Sequence, residues 1–510
     1  MGFKNVQIKL PTDYSDDDIR DAIQKQIGSM DFSFQIEKKS LDARKKNNAF
    51  WLLNVMVLSD KLEGENYIAP TPLDIPYKKR TEKVIVVGSG PAGFFAAHVL
   101  QLAGFHVTIV ERGSEVEQRN RAIVQLESEG EFSAQNNYAF GEGGAGTFSD
   151  GKLTSRSKHI STERRYIMSE YIKAGAPKEI LYMAHPHLGT DNLKIIVANL
   201  RKQFLENGGK FLFNTQLNDI IVKGKKISGI ICDTSEIETD HLVLATGHSA
   251  YDTYRMLINR GVQFGTKNFA IGHRIEHPSK LINKAQWGTE NLPGVKAAEY
   301  RLTSKTKSGL PVYTFCMCPG GQVVPSAAFK EKSVVNGMSH YMRSGNFSNA
   351  GCVVGVHPDI LLGHKCTPIE ILDWIDKLEA SFYDIYHSYK IPANMAYDYI
   401  QKKGSKEIGS GSYPLGLESA PLYEMVPKII SNTLAEGLRD FSRKLRGFDR
   451  GVLMGLESKT SSPLQIAREK DGSVLGFENL YSVGEGSGYA GGIISSAADG
   501  VRCAMVLSSI

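Results

Sequence analysis

Two hydrophobic periods divide this chain into recognisable pieces. Between Lys83 and Arg112 an unbroken apolar run, Val84 to Val87, is followed by Gly88, Gly90 and Gly93, a helical stretch from Gly90 to Ala103 and a second apolar run, His106 to Val110. Short apolar runs bounded by glycine predict buried strands, and this order predicts a βαβ unit. Asp191 to Glu206 is amphipathic at helical period and is stopped by Gly208-Gly209, with Asp191 placed to cap it. A meander of short strands over 210–213, 219–222, 227–232 and 236–238 leads into the apolar strand at His241 to Leu244, which ends on Ala245-Thr246-Gly247. Upstream, Val6 to Leu10, Asp16 to Ile27, Phe32 to Leu41 and Phe50 to Leu58 read as strand, helix, strand, strand. The expected fold class is α/β: a Rossmann-like domain over 80–255 and 450–510, an inserted α+β substrate domain over 256–449, and a small N-terminal βαββ (ferredoxin-like) domain over 1–75. The proline-bearing segment Ile68 to Tyr77 is the expected linker.

The glycines at 88, 90 and 93 have the G-x-G-x-x-G spacing of a dinucleotide site. The first permits the tight turn, the second lets backbone approach a pyrophosphate, and the third lets helix pack closely on strand. Pro91 and Ala92 open the helix, whose N-terminus presents free N–H groups to an anion. Glu111, at the end of the second strand and followed by Arg112, is placed to accept from a ribose hydroxyl, which favours FAD or NAD over NADP. A second glycine-rich loop runs from Phe140 to Lys152; no apolar strand precedes it, so Gly141, Gly143, Gly144 and Gly146 are expected to lie along an extended ligand rather than to begin another Rossmann unit. Lys152 and Arg156 would neutralise phosphate or polarise an electron-rich ring, or be ordinary surface charge.

Composition narrows the setting. A net charge of +5 over 510 residues gives no reason to expect a nucleic-acid partner. No signal-like apolar core opens the chain, the glycines and polar residues within Val84 to Gly104 argue against a membrane span, and six scattered cysteines do not make a disulfide framework. A cytoplasmic protein with reduced thiols is expected. The basic run Lys38 to Lys46 reads as a solvated hairpin connection or a contact for an acidic protein partner.

The chain resembles the glutathione-reductase-like flavoprotein superfamily and, within it, the uncharacterised FAD-dependent dehydrogenases. GSGPAG at 88–93 with Glu111, GEGGAGTFSDGKL at 141–153, LATG at 244–247 and LYSVGEGSGYAGGIISSAADG at 480–500 carry the resemblance. It implies that Thr246 and Gly247 lie near the FAD diphosphate and ribose, and that Gly484 and Glu485 belong to a motif binding the ribityl chain and flavin, with Glu485 where Asp is common. It also implies that backbone N–H groups near Gly492 and Ile493 face the flavin pyrimidine edge.

No second complete fingerprint and no Cys-x-x-Cys occur, so the flavin would be reduced by transiently bound NADH or NADPH, by the substrate, or by a protein. Catalytic candidates are Lys152, His187 (with His185 in one loop), Arg274 and Cys318. His273 and His277 would share a strand face, but nothing completes a metal site, and a polar pocket wall is expected. Cys316 and Cys318 are expected on one strand face, ahead of a turn at Pro319-Gly320-Gly321, as packing or pocket lining or as redox thiols. The preferred function is hydride transfer between FAD and a small organic substrate. The alternatives are an FAD-dependent RNA-modifying enzyme and an electron-transfer module.

Overall fold

The computed structural model of the chain describes residues 2–62, 69–233 and 235–509; Ile68, the first residue of the expected linker, lies outside them. The apolar strand Lys83–Val87 stands at the centre of a five-stranded parallel sheet. The order across it is Leu480–Ser482, His241–Leu244, Lys83–Val87, His106–Val110, Lys210–Leu212. The chain therefore winds outward from the central strand in one direction and later in the other. The crevice between Lys83–Val87 and His241–Leu244, at the carboxyl ends of the strands, is where such sheets bind ligands.

Glycine sets the approach distances here. Gly88 has φ 101°, which glycine alone adopts readily, and a Cβ on it would lie 2.4 Å from the Ala245 carbonyl oxygen. A Cβ on Gly93 would lie 1.9 Å from the Gly88 carbonyl oxygen, so the helix Pro91–Leu102 is seated directly on the turn. The helix Ile493–Ser508 packs against it in turn, with the Gly500 Cβ position 2.1 Å from the Ala92 carbonyl oxygen.

Between the fourth and fifth parallel strands the chain builds an eight-stranded sheet. Phe269–Pro278 pairs antiparallel with Phe347–Val356 on one side and Val452–Glu457 on the other. Val452–Glu457 lies beyond residue 449, where sequence order puts the seam, so this sheet claims part of the later segment. The helices Pro368–Asp384 and Lys428–Lys444 bury Ile371, Ile375, Leu434 and Phe441 in its core.

The N-terminal unit forms a three-stranded antiparallel sheet, Gly2–Leu10, Phe50–Ser59, Ser33–Asp42 across, with the helix Asp16–Ile27 opened by a Ser15/Asp18 capping box. A ferredoxin-like unit would need a further helix and strand; among the described residues the next strand is Lys83–Val87, which belongs to the parallel sheet. The unit is docked. The Lys39 N–H donates to the Tyr182 carbonyl at 2.7 Å, the Ala184 N–H to the Lys39 carbonyl at 2.8 Å, and Met183 and Val295 pack on its core. Lys39 of the basic run is turned inward, its ammonium 4.4 Å from the centre of the Trp51 ring and 4.8 Å from that of Tyr14. Among the described residues no helix is long and apolar enough to cross a membrane.

Candidate active site

A cavity of about 270 Å³ opens at the crevice. Five segments meet around it: Gly88, Gly90, Pro91 and Ala92; Glu111 and Arg112; Gly144, Gly146 and Lys152; Thr246 and Gly247; and Glu485, Gly492 and Ile493. Gly93 and Gly484, expected to touch a cofactor, do not line it. Their place is structural: Gly93 seats the helix, and a Cβ on Gly484 would lie 2.6 Å from the Ala92 Cβ. The N-termini of Pro91–Leu102 and Ile493–Ser508 both open on the cavity through Gly90 and Gly492. A Cβ on Gly90 would meet nothing nearer than the Gly144 Cα at 3.8 Å, so its space is cavity.

Glu111 is buried and shared. Its Oε2 accepts from the Ser89 N–H at 3.0 Å and the Ser89 hydroxyl at 2.8 Å, and its Oε1 from the N–H groups of Gly113 and Gly141 at 3.0 and 3.1 Å. Arg112 stacks over the Phe140 ring at 4.2 Å and pairs with Asp252.

The glycine-rich loop owes its shape to Arg119, which periodicity alone assigns to an ordinary charged helix. This guanidinium is fully buried and donates from all three nitrogens, to the carbonyls of Asn137, Tyr138, Gly141, Glu142 and Gly144. Burial lowers it to about 10, well above neutrality, so it stays charged. The signal available in sequence was an Arg on the apolar face of Val116–Glu129, between Val116 and Ile123.

Lys152 faces the cavity and donates to Asp150 and to the Met317 carbonyl. Asp150 also accepts from Arg343 Nε at 3.0 Å and Nη2 at 2.6 Å and from the Ser339 hydroxyl. Burial alone would raise the Asp150 carboxyl, but Lys152 and Arg343 hold it well below the usual carboxylate range. Burial likewise opposes the Lys152 charge, and Asp150 more than offsets it, so the ammonium is held charged.

The other catalytic candidates lie elsewhere. His187, bridged backbone to backbone with Lys152, turns to the far side, where its Nε2 lies 3.0 Å from the Tyr341 carbonyl oxygen; burial, then Arg343, lowers it to about 4. It lines a second cavity of about 460 Å³ between the N-terminal unit and the rest, together with His185 and Arg343. Arg274 is fully buried and pairs with Glu457 at 2.6 Å, donating also to Asn349 and the Cys316 carbonyl. His273 and His277, expected as a pocket wall, are buried among core aromatics, with ring nitrogens 2.6 and 2.8 Å from the carbonyl oxygens of Gly455 and Phe448. Cys318 is fully buried, whereas Cys316 lines the cavity. The expected alternation fails because the pairing of Pro311–Pro325 with Phe347–Val356 shifts between Phe315 and Cys318, and Cys316 takes φ 43°. Asp191 sits inside its helix and accepts from the Tyr341 N–H at 2.8 Å rather than capping.

Two further lining residues carry no local sequence signal. Lys459 donates to Glu379 and to the Tyr251 hydroxyl at 2.8 and 2.7 Å. His248 has Nδ1 3.6 Å from Glu485 Oε1, while its Nε2 is buried without a partner, a polar atom left for a ligand.

Residues 81–128 match an FAD binding domain, and 268–460 match the family described as FAD-dependent protein, C-terminal domain-like. An uncharacterized protein of Clostridium beijerinckii is 39% identical over 491 residues, covering 92% of this chain and 91% of that one. The thiamine thiazole synthase of Aeropyrum pernix is 29% identical over 200 residues, 36% of this chain and 61% of that one. Among solved structures, L-proline dehydrogenase from P. horikoshii aligns with 85% of this chain and 94% of its own at 14% identity and a TM-score of 0.33.

Proposed function

Because the chain belongs to one family with the Clostridium beijerinckii protein and carries an FAD binding domain and an FAD-dependent C-terminal domain, we propose that it is an oxidoreductase holding FAD in the 270 Å³ cavity and moving a hydride between the flavin and a small organic substrate. The observation that carries this reading is the convergence of four glycine-bearing segments and two helix N-termini on one cavity at the switch of strand order. The residues present fit the dinucleotide: Gly90 leaves the space beside a helix N-terminus open, and His248 Nε2 is an unpaired buried polar atom.

Gly90, Pro91 and Ala92 would take the diphosphate, Glu111 the adenosine ribose, and Gly492 and Ile493 the electron-rich edge of the ring system. Each Glu111 oxygen already accepts two hydrogen bonds, so a ribose hydroxyl would displace the Ser89 hydroxyl, the one donor there not fixed to backbone. The bound flavin supplies two-electron chemistry. Lys152, locked by Asp150, presents a fixed positive charge that steadies negative charge on a ring or substrate oxygen. With no second dinucleotide fingerprint in the chain, the flavin would be reduced by transiently bound NADH or NADPH, by the substrate itself, or by a protein partner.

The purified protein should be yellow and release FAD on denaturation. Anaerobic addition of NADH, NADPH and a metabolite library, followed by flavin bleaching, identifies the donor and substrate. A colourless protein that takes up no FAD overturns the reading.

A further inference from the structure

The second cavity, about 460 Å³, has no part in the function proposed above, yet its volume is that of a small-molecule site, ~300–1,000 Å³. It lies where the N-terminal unit meets the rest of the chain. Lys39 and Trp51 of the N-terminal sheet line one side, and Glu179, Lys296, Glu299 and Arg343 come from the remainder. Trp287, Met183 and Val295 add apolar surface. Arg44 also lines it but is largely exposed and already paired with Asp42.

The charged groups of this cavity are unevenly satisfied. Both carboxylates are supplied with donors. Glu179 Oε1 accepts from the Tyr341 hydroxyl at 2.5 Å and from the Lys296 ammonium at 3.4 Å. Glu299 Oε1 accepts from Arg343 Nη1 at 2.6 Å, and its Oε2 lies 3.3 Å from His185 Nδ1. The cations are left with donors to spare. The Lys39 ammonium rests against the rings of Trp51 and Tyr14, 4.4 and 4.8 Å from their centres, and donates to no acceptor among the described residues. Aromatic faces attract its charge but leave its N–H donors unfilled. Lys296, 3.2 Å from the centre of the Tyr341 ring, has among the described residues only its long bond to Glu179. Arg343, its side chain 5% exposed, spends Nε and Nη2 on Asp150 and Nη1 on Glu299. Each terminal nitrogen of a guanidinium carries a second hydrogen, so Arg343 keeps a spare donor at Nη1 and another at Nη2. Burial lowers the Lys39 and Lys296 ammonium groups from the ordinary lysine value, with Glu179 opposing, as follows when a charge leaves water without full replacement.

We propose that this cavity is a binding site for a small organic acid, a monocarboxylate with an apolar body, whose carboxylate is held by the spare donors of Lys39, Lys296 and Arg343 and whose body lies against Trp51, Trp287 and Val295. An oxygen anion is what this wall lacks: its acids are supplied and its cations are not. Charge-assisted hydrogen bonds to a carboxylate are the strong kind, and a guanidinium matches it in geometry. The apolar surface separates such a ligand from inorganic phosphate, which has nothing to place there. Arg343 is set for the task by its backbone, at φ 50° in the left-handed region, a conformation a residue other than glycine keeps only where its surroundings enforce it. The same Arg343 holds Asp150, and Asp150 holds Lys152 in the wall of the first cavity, so the two cavities share one ion-pair chain. A bound acid would also tie the N-terminal unit, which supplies Lys39 and Trp51, to the part of the chain that supplies Lys296 and Arg343.

The test reads tryptophan and heat rather than flavin, so its failure is separate from that of the oxidoreductase reading. Trp51 and Trp287 line the cavity and Trp374 does not. The full chain as purified is titrated with phenylacetate, 3-phenylpropionate and octanoate, with the amide of each, and with inorganic phosphate, followed by intrinsic fluorescence and by calorimetry. At least one acid should saturate with a Kd of about 1 mM or tighter. Its amide, which cannot form charge-assisted bonds to the cations, should bind about tenfold more weakly or worse. Lys39→Met keeps an apolar stem between the two rings and removes the ammonium; it should cost about tenfold in affinity for the acid, and Lys39→Arg, which restores the charge, should recover most of that loss. Dependence on Lys39 also assigns the binding to this cavity rather than to the one that Lys152 faces. Should Lys39→Met fail to fold, Lys296→Met carries the same expectation. Absence of saturable binding by all three acids, an amide that binds as tightly as its acid, phosphate that binds as tightly as the best acid, or a folded Lys39→Met protein of wild-type affinity overturns the proposal.

Discussion

Replacing Arg274 with Met tests whether this residue, a catalytic candidate by sequence, is instead a core tie. Arg274 and Glu457 are both wholly inaccessible and 2.6 Å apart. Removing one partner of a buried ion pair costs about 3–5 kcal/mol, because the other charge is stranded without water. Arg274 also donates to Asn349 Oδ1 at 2.8 Å and to the Cys316 carbonyl at 2.6 Å, and each lost partner adds about 1–3 kcal/mol where the acceptor stays buried. The single variant should therefore lose roughly 5 kcal/mol or more, read as a fall in urea midpoint at constant m. Glu457 Oε1 has no partner even in the intact pair, so the carboxylate is poorly repaid for its burial. Arg274→Met with Glu457→Leu should accordingly recover most of the stranded-charge cost, about 3 kcal/mol, and retain FAD. The sign with pH follows. Burial already raises the Glu457 carboxyl despite Arg274, and without Arg274 it rises further. A carboxyl whose folded value exceeds its unfolded value, ~4.3, binds its proton more tightly in the folded state, so stability falls as pH rises between the two. The single variant should be less impaired at pH 5 than at pH 8, and the double variant should lose that pH dependence. Equal stability of single and double variants, or a defect of the single variant independent of pH over that range, refutes the assignment.

Gly90 and Gly93 should separate binding from folding. Gly90→Val places a side chain in open cavity beside a backbone at φ −66°, so the protein should fold and fail to hold FAD. Gly93→Ala drives a Cβ to 1.9 Å from a backbone oxygen and should lower thermal stability, by about 1–3 kcal/mol or more, FAD or not. Deleting residues 1–75 should leave FAD bound, since none of the described residues among them lines the 270 Å³ cavity, but should lower the melting temperature by uncovering Met183 and Val295; loss of FAD on truncation would contradict this.

The sequence by itself determined the local units whose geometry depends on neighbours a few residues away. The apolar run at 84–87, the spacing of Gly88, Gly90 and Gly93 and the acid at 111 specify strand, turn, helix and strand, because backbone sterics and burial at those positions leave little choice. The roles of residues facing distant partners were decided only by tertiary structure. Arg274 reads as a catalytic candidate until Glu457, 183 residues on, is paired with it, and Arg119 reads as helix surface until the 137–144 loop folds over it. Period-two alternation puts Cys316 and Cys318 on one face. The register slip against Phe347–Val356 separates them, sending one thiol to the cavity and the other to the core. A strand's pattern records which way side chains alternate but not where pairing with a remote strand breaks, and that break decides which sulfur meets the ligand.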